Sequence, residues 1–71
     1  MRGNKLQLGN KIRDERKARD LTQTQLASLA NVSLNFVSQL ESGKLTVRLD
    51  KILAVLRVLG LEIKIQHKKG K

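Results

Sequence analysis

The chain has 71 residues, no cysteine and one histidine, which excludes a disulfide framework and a zinc site as staples for a small core. Its apolar share of 39% contains thirteen leucines but one phenylalanine and no tyrosine or tryptophan, which excludes an aromatic platform for stacking single-stranded bases. A net charge of +9, from 15 Lys and Arg against 6 Asp and Glu, points to a polyanionic partner.

Asn4-Lys5-Leu6-Gln7 reads as an N-cap with glutamine at the third helical position and opens a first helix, over about 5–19. Leu8, Ile12 and Arg16 share one face at i, i+4 spacing, while Lys11, Arg13 and Lys17 point elsewhere. Gly9 costs this helix roughly 1 kcal/mol relative to alanine, and Asp20 closes it in a left-handed conformation. Thr22-Gln23-Thr24-Gln25 is a stronger capping box, preceded by Leu21 as a staple. It begins a second helix, over about 23–30, with Leu26, Ala27, Leu29 and Ala30 as its predicted buried side. Asn31-Val32-Ser33 then breaks the chain: Asn31 tolerates the left-handed region and Ser33 caps a third helix, over about 34–42. There Val37 and Leu40 face inward and Phe36 packs at the edge of the core. Leu34, Asn35, Ser38, Gln39 and Ser42 lie on the outer arc, and Gly43 ends the helix.

Thr46-Val47-Arg48 leads into a fourth helix, over about 48–59, with Leu49, Ile52, Leu53, Leu56 and Leu59 as a broad apolar stripe and Gly60 as its stop. The period then changes. Leu61, Ile63 and Ile65 alternate with Glu62, Lys64 and Gln66, which is strand spacing and predicts a strand over about 61–66. From about residue 67 the chain reads as a basic tail, in which His67 is a solvated side chain. With no internal repeat and no boundary, 1–71 is expected to form a single mainly α domain. No apolar run approaches the ~20 residues that span a bilayer, and nothing resembles a secretory signal, so a cytoplasmic, nucleoid-associated chain is expected.

The charge is unevenly placed. Residues 1–19 carry seven basic and two acidic side chains, residues 20–43 carry only Asp20 and Glu41, and both later segments are basic again. A stretch rich in Gln, Asn, Ser and Thr therefore sits between two cationic ones. Cations suit phosphates, and neutral amides and hydroxyls suit base edges.

Two short helices joined by a tight turn are weakly diagnostic by themselves. The pattern L-T-Q-x-x-L-A-x-x-A-x-V-S-x-x-x-V-S-x-L-E-x-G from Leu21 to Gly43 is more specific and strongly resembles the Xre/Cro family of DNA-binding repressors. Ile12-Arg13-x-x-Arg16 resembles that family's first helix, while Asp20 and Asn31 stand where many members have glycine. Downstream, Glu41-x-Gly43-Lys44-x-Thr46-Val47-Arg48-Leu49-Asp50-Lys51-Ile52-Leu53 and Leu59-Gly60-Leu61-Glu62-Ile63 look like the HipB-type antitoxin branch. The resemblance implies a four-helix lambda-repressor-like domain with a terminal strand. It also implies a dimer that represses its own operon, as the antitoxin of a type II toxin-antitoxin pair, and holds a HipA-class kinase toxin.

Carried over position by position, the resemblance puts Gln23 on a phosphate and Leu34, Asn35, Ser38 and Gln39 at the major groove, with Ser33, at the start of the same helix, also among the DNA-binding residues. Ser42, Lys44, Thr46 and Arg48 fall on the DNA backbone. Asn and Gln pair bidentately with adenine, Ser is permissive, and Leu34 suits a thymine methyl. Lys5, Arg13 and Lys17 are weaker phosphate candidates. The resemblance also makes Arg16 and Glu41 an ion pair tying the first helix to the third.

Apart from the weak alternation Lys5-Leu6-Gln7-Leu8, the strand has no partner within the chain, and an unpaired edge seeks one. Leu61, Ile63 and Ile65 are therefore expected to pair with the same segment of a second copy, in a homodimer that reads a palindromic operator with half-sites about 34 Å apart. No cofactor, metal site or catalytic residue is expected, because no nucleophile, base and oxyanion donor can be assembled from these residues. Two alternatives remain at this stage: a phage or mobile-element repressor without a toxin partner, and an architectural protein that coats nucleic acid without sequence preference.

Overall fold

Four helices follow one another in a computed structural model of the chain, in which residues 4–44 and 48–63 are described, with side chains from residue 7 onward. They are α1 (Asn4–Ala18), α2 (Gln23–Ala30), α3 (Leu34–Glu41) and α4 (Leu49–Val58). Local chemistry fixes their ends. Thr22 accepts from the Gln25 N–H at 3.0 Å while the Gln25 side chain accepts from the Thr22 N–H at 2.8 Å, a complete capping box for α2. Ser33 accepts from the Phe36 N–H at 3.0 Å and starts α3.

Each helix ends the same way. The left-handed residues Asp20, Asn31, Gly43 and Gly60 follow α1, α2, α3 and α4 in turn. The next N–H in each case reaches five residues back: Leu21 to the Arg16 carbonyl, Val32 to Ala27, Lys44 to Gln39 and Leu61 to Leu56. These paired closures satisfy carbonyls that a helix end otherwise leaves open.

α2 packs on both α3 and α4, and α1 packs on α3. The core joins Ile12 of α1, Leu26, Ala27 and Ala30 of α2, Val37 and Leu40 of α3, and Ile52, Val55, Leu56 and Leu59 at α4. Leu8, Leu21, Val32 and Phe36 pack partly buried against it. At about 25 cal/mol per Å² of apolar surface, this aliphatic cluster is the main stabilising term.

Three expectations need correction. Leu29 is 61% exposed, because it lies about 60° outside the arc of α2 that Leu26, Ala30 and Ala27 define. The buried arc of α4 runs through Ile52, Val55, Leu56 and Leu59, which leaves Leu49 and Leu53 exposed on its flank. Third, there is no strand among the described residues. The Leu61 N–H that would start one is spent on the Leu56 carbonyl at 2.8 Å, closing α4, and Ile63 is exposed. Residues 64–66, including Ile65, lie outside the described residues, as do Thr46 and the tail from 67.

Gly9 is the structural surprise of α1. A Cβ built there would sit 2.5 Å from the Glu41 carbonyl oxygen and 2.7 Å from that of Leu40. The helix-propensity cost of this glycine is the condition for seating α1 directly on the last turn of α3. Among the described residues no helix is long and apolar enough to cross a membrane.

Candidate nucleic-acid interface

The outer face of α3 follows from its inner one. With Val37, Leu40 and Glu41 buried, the 3.6-residue period turns Leu34, Asn35, Ser38 and Gln39 to solvent. Leu34 is 48% exposed, a large aliphatic side chain left outside although the core lies one turn away. The only charged residue of α3, Glu41, is buried, so its exposed surface consists of amides, a hydroxyl and Leu34. Such a surface forms hydrogen bonds without attracting or repelling phosphates.

Buried polar contacts hold this face in place. Arg16, reaching from α1, donates from Nε to Glu41 Oε2 at 2.6 Å and from Nη2 to Glu41 Oε1 at 3.1 Å. Its Nη1 donates to the Leu21 carbonyl at 2.7 Å. The guanidinium thus ties the end of α3 to α1 and to the turn before α2. Both side chains are nearly sealed from water, and no buried side-chain nitrogen or oxygen among the described residues lacks a partner. A bidentate fork of this kind fixes orientation as well as distance.

Gln23 sits at the first position of α2, half-buried, with its Nε2 donating to Glu41 Oε1 at 3.1 Å. Sequence reasoning set Gln23 beside a phosphate but missed this link, because nothing in the 18-residue separation signals it. The Ser33 oxygen is occupied as the cap of α3, which leaves its hydroxyl hydrogen for another acceptor. The Ser42 hydroxyl donates to the Gln39 carbonyl at 2.9 Å, just past the end of α3.

Lys44 and Arg48 are exposed beyond α3. Arg48 donates from Nε and Nη2 to the two carboxylate oxygens of Asp50, at 3.2 and 3.0 Å. The guanidinium holds the Asp50 carboxyl below its ordinary value, and Asp50 raises the arginine in turn. On α1, Arg13 bonds the Asn10 side chain. Arg19 and Lys11 bracket Glu15, which lowers the Glu15 carboxyl, Arg19 contributing most. Among the described residues no group of three or more His, Cys, Asp or Glu could hold a metal ion.

A capped pair of short helices, a left-handed turn between them, and a second helix with a polar outer face define a helix-turn-helix protein. The chain belongs to the helix-turn-helix family HTH_3, which matches residues 12–65. It is 43% identical over 58 residues to the uncharacterized HTH-type transcriptional regulator y4mF of Sinorhizobium fredii, covering 82% of this chain and 76% of that one. It is 36% identical over 56 residues to the immunity repressor protein of Bacillus phage phi105, covering 79% of this chain and 39% of the repressor. In three dimensions it is similar to the restriction-modification controller protein C.AhdI from Aeromonas hydrophila. That likeness has a TM-score of 0.76 at 30% identity and covers 84% of this chain and 91% of the other.

Proposed function

We propose that the chain is a sequence-specific double-stranded DNA-binding regulator that represses transcription. The observation that carries this reading is the outer face of α3, where Asn35, Ser38 and Gln39 stand exposed and uncharged beside Leu34. Lys44 and Arg48 follow at its end as phosphate partners. Ser33, Ser42 and Gln23 complete the contacts to the sugar-phosphate backbone, and Thr46 joins them from outside the described residues. The relatives support the same reading, since their names include a transcriptional regulator, a phage repressor and a controller protein.

The protein is further read as a homodimer on a palindromic operator near its own gene. Exposed Leu49, Leu53 and Ile63 supply apolar surface for a second copy, and Ile63→Lys is expected to shift sedimentation toward monomer. The likeness of residues 41–53 and 59–63 to the antitoxin branch adds a HipA-class kinase toxin as a proposed partner. Co-purification with the product of an adjacent kinase-like gene tests that part separately.

The function itself is tested by selecting bound fragments from the DNA upstream of the gene and competing them against scrambled sequence. The expected result is strong preference for the selected fragment. Each neutralised phosphate steepens the salt dependence by a slope of roughly 0.9, so affinity falls on the order of ten-thousandfold between about 50 and 300 mM NaCl if about six phosphates are engaged. Equal binding to scrambled DNA would favour an architectural, non-specific role instead.

A further inference from the structure

The Glu41 carboxylate accepts three N–H groups, two from Arg16 and one from Gln23. A carboxylate only accepts, so the edge of the Gln23 amide that faces it must be the nitrogen; turned the other way, oxygen would meet oxygen. An exposed glutamine presents either end of its amide and samples several rotamers. Here the nitrogen is committed. One of its hydrogens goes to Glu41, and trigonal geometry directs the second away from the carboxylate, at the half-buried first residue of α2. That end of a helix already favours anionic oxygen, because the first N–H groups carry partial positive charge.

We propose that Glu41 is a positioning residue for the DNA backbone contact of Gln23: its carboxylate fixes the polarity of the amide so that N–H, and not oxygen, meets a phosphate. The inference rests on the DNA-binding reading above. It gives the buried pair a second task. Arg16 and Glu41 orient α3 for the bases, and the same carboxylate readies α2 for the backbone. The docking of both helices on DNA is therefore set at one point. Removing the choice between amide ends is worth about twofold, and holding a glutamine's rotors brings the expected total to roughly fivefold in affinity.

The test uses the full chain and the DNA fragment selected from its upstream region. Gln23→Met removes the amide while keeping the length and the Arg16–Glu41 pair. It is expected to weaken operator and scrambled DNA alike, by about tenfold, as loss of a hydrogen bond to a charged group does. Glu41→Gln is expected to weaken binding roughly fivefold, and Gln23→Met is then expected to cost much less in that background than in the parent. A purely structural Glu41 would leave the Gln23 penalty unchanged. Should Glu41→Gln fail to fold, side-chain amide resonances of the unaltered chain give the same answer. One Gln23 Nε2 proton is expected to be shifted and protected before DNA is added, and the other to move only on titration. Equal Gln23 penalties in both backgrounds, or a pair of protons that behave as an ordinary exposed amide, overturn the inference. Full-strength binding by Gln23→Met overturns it while the DNA-binding reading stands; a parent chain that binds no DNA overturns both.

Discussion

Where α2 meets α4 the buried side chains are all aliphatic: Leu26, Ala27 and Ala30 on one helix, Ile52, Val55 and Leu56 on the other. Where α1 meets α3, Ile12 and Leu40 share the seam with a glycine, a guanidinium and a carboxylate. Aliphatic contacts are non-directional and tolerate repacking, whereas a bidentate ion pair over a glycine-to-carbonyl approach has one geometry. The first seam supplies stability. The second supplies the position of the helix that is proposed to read DNA.

The comparison is most sharply broken at Glu41. Glu41→Ala strands the Arg16 guanidinium and is expected to cost about 3–5 kcal/mol in denaturant unfolding. Replacing the pair together, Arg16→Met with Glu41→Leu, is expected to return most of that stability while operator discrimination stays impaired. Recovery of both would show that register does not depend on the ion pair. On the aliphatic side, Leu26→Ala is expected to cost about 2–5 kcal/mol through the cavity it leaves, with the recognition face unchanged in the fraction that remains folded. A smaller effect with a telling sign belongs to Gly9→Ala. Helix propensity alone predicts a gain of about 1 kcal/mol; the close approach to the Leu40 and Glu41 carbonyls predicts a net loss of about 1–3 kcal/mol instead. A thermal melt decides between them.

The smallest effects lie at the surface. Asp50 and Glu15 have folded-state pKa values lowered by Arg48 and by Arg19 with Lys11. Their contribution to stability is present above the ordinary carboxylate range and is lost as pH falls through that range toward the lowered values. Both pairs are solvent-screened, so acid titration of the unfolding midpoint should show a slight, salt-sensitive decline. Asp50→Asn and Glu15→Gln should flatten it.

Much of the fold is written locally and was legible for that reason. The Thr22 capping box, the Ser33 cap and the left-handed closures at Asp20, Asn31, Gly43 and Gly60 involve residues within a few positions of one another. The bounds of α2 coincide with those expected, and those of α3 differ by one residue. Burial of apolar side chains was less legible, since Leu29, Leu49 and Leu53 look like core until the partner helices fix which arc is covered. The strand expected over 61–66 took alternation as its whole signal, and the closure of α4 competes for its first N–H. Long-range polar contacts carry no local signature. The link between Gln23 and Glu41, and the reason for Gly9, exist only once α1, α2 and α3 are in place. The exposed residues of the candidate site were visible early because an outer arc is the complement of an inner one on the same helix.

Simultaneous replacement of Asn35 and Gln39 by alanine tests the central claim most directly, by competition between the selected upstream fragment and scrambled DNA, with a thermal melt alongside. Both side chains are exposed and outside the core, so the melt should move little. The preference for the selected fragment should fall by about 1–3 kcal/mol for each position that reads a base, while the salt-dependent binding to scrambled DNA persists. An unchanged preference, with the fold intact, would contradict the assignment of α3 as the reading helix.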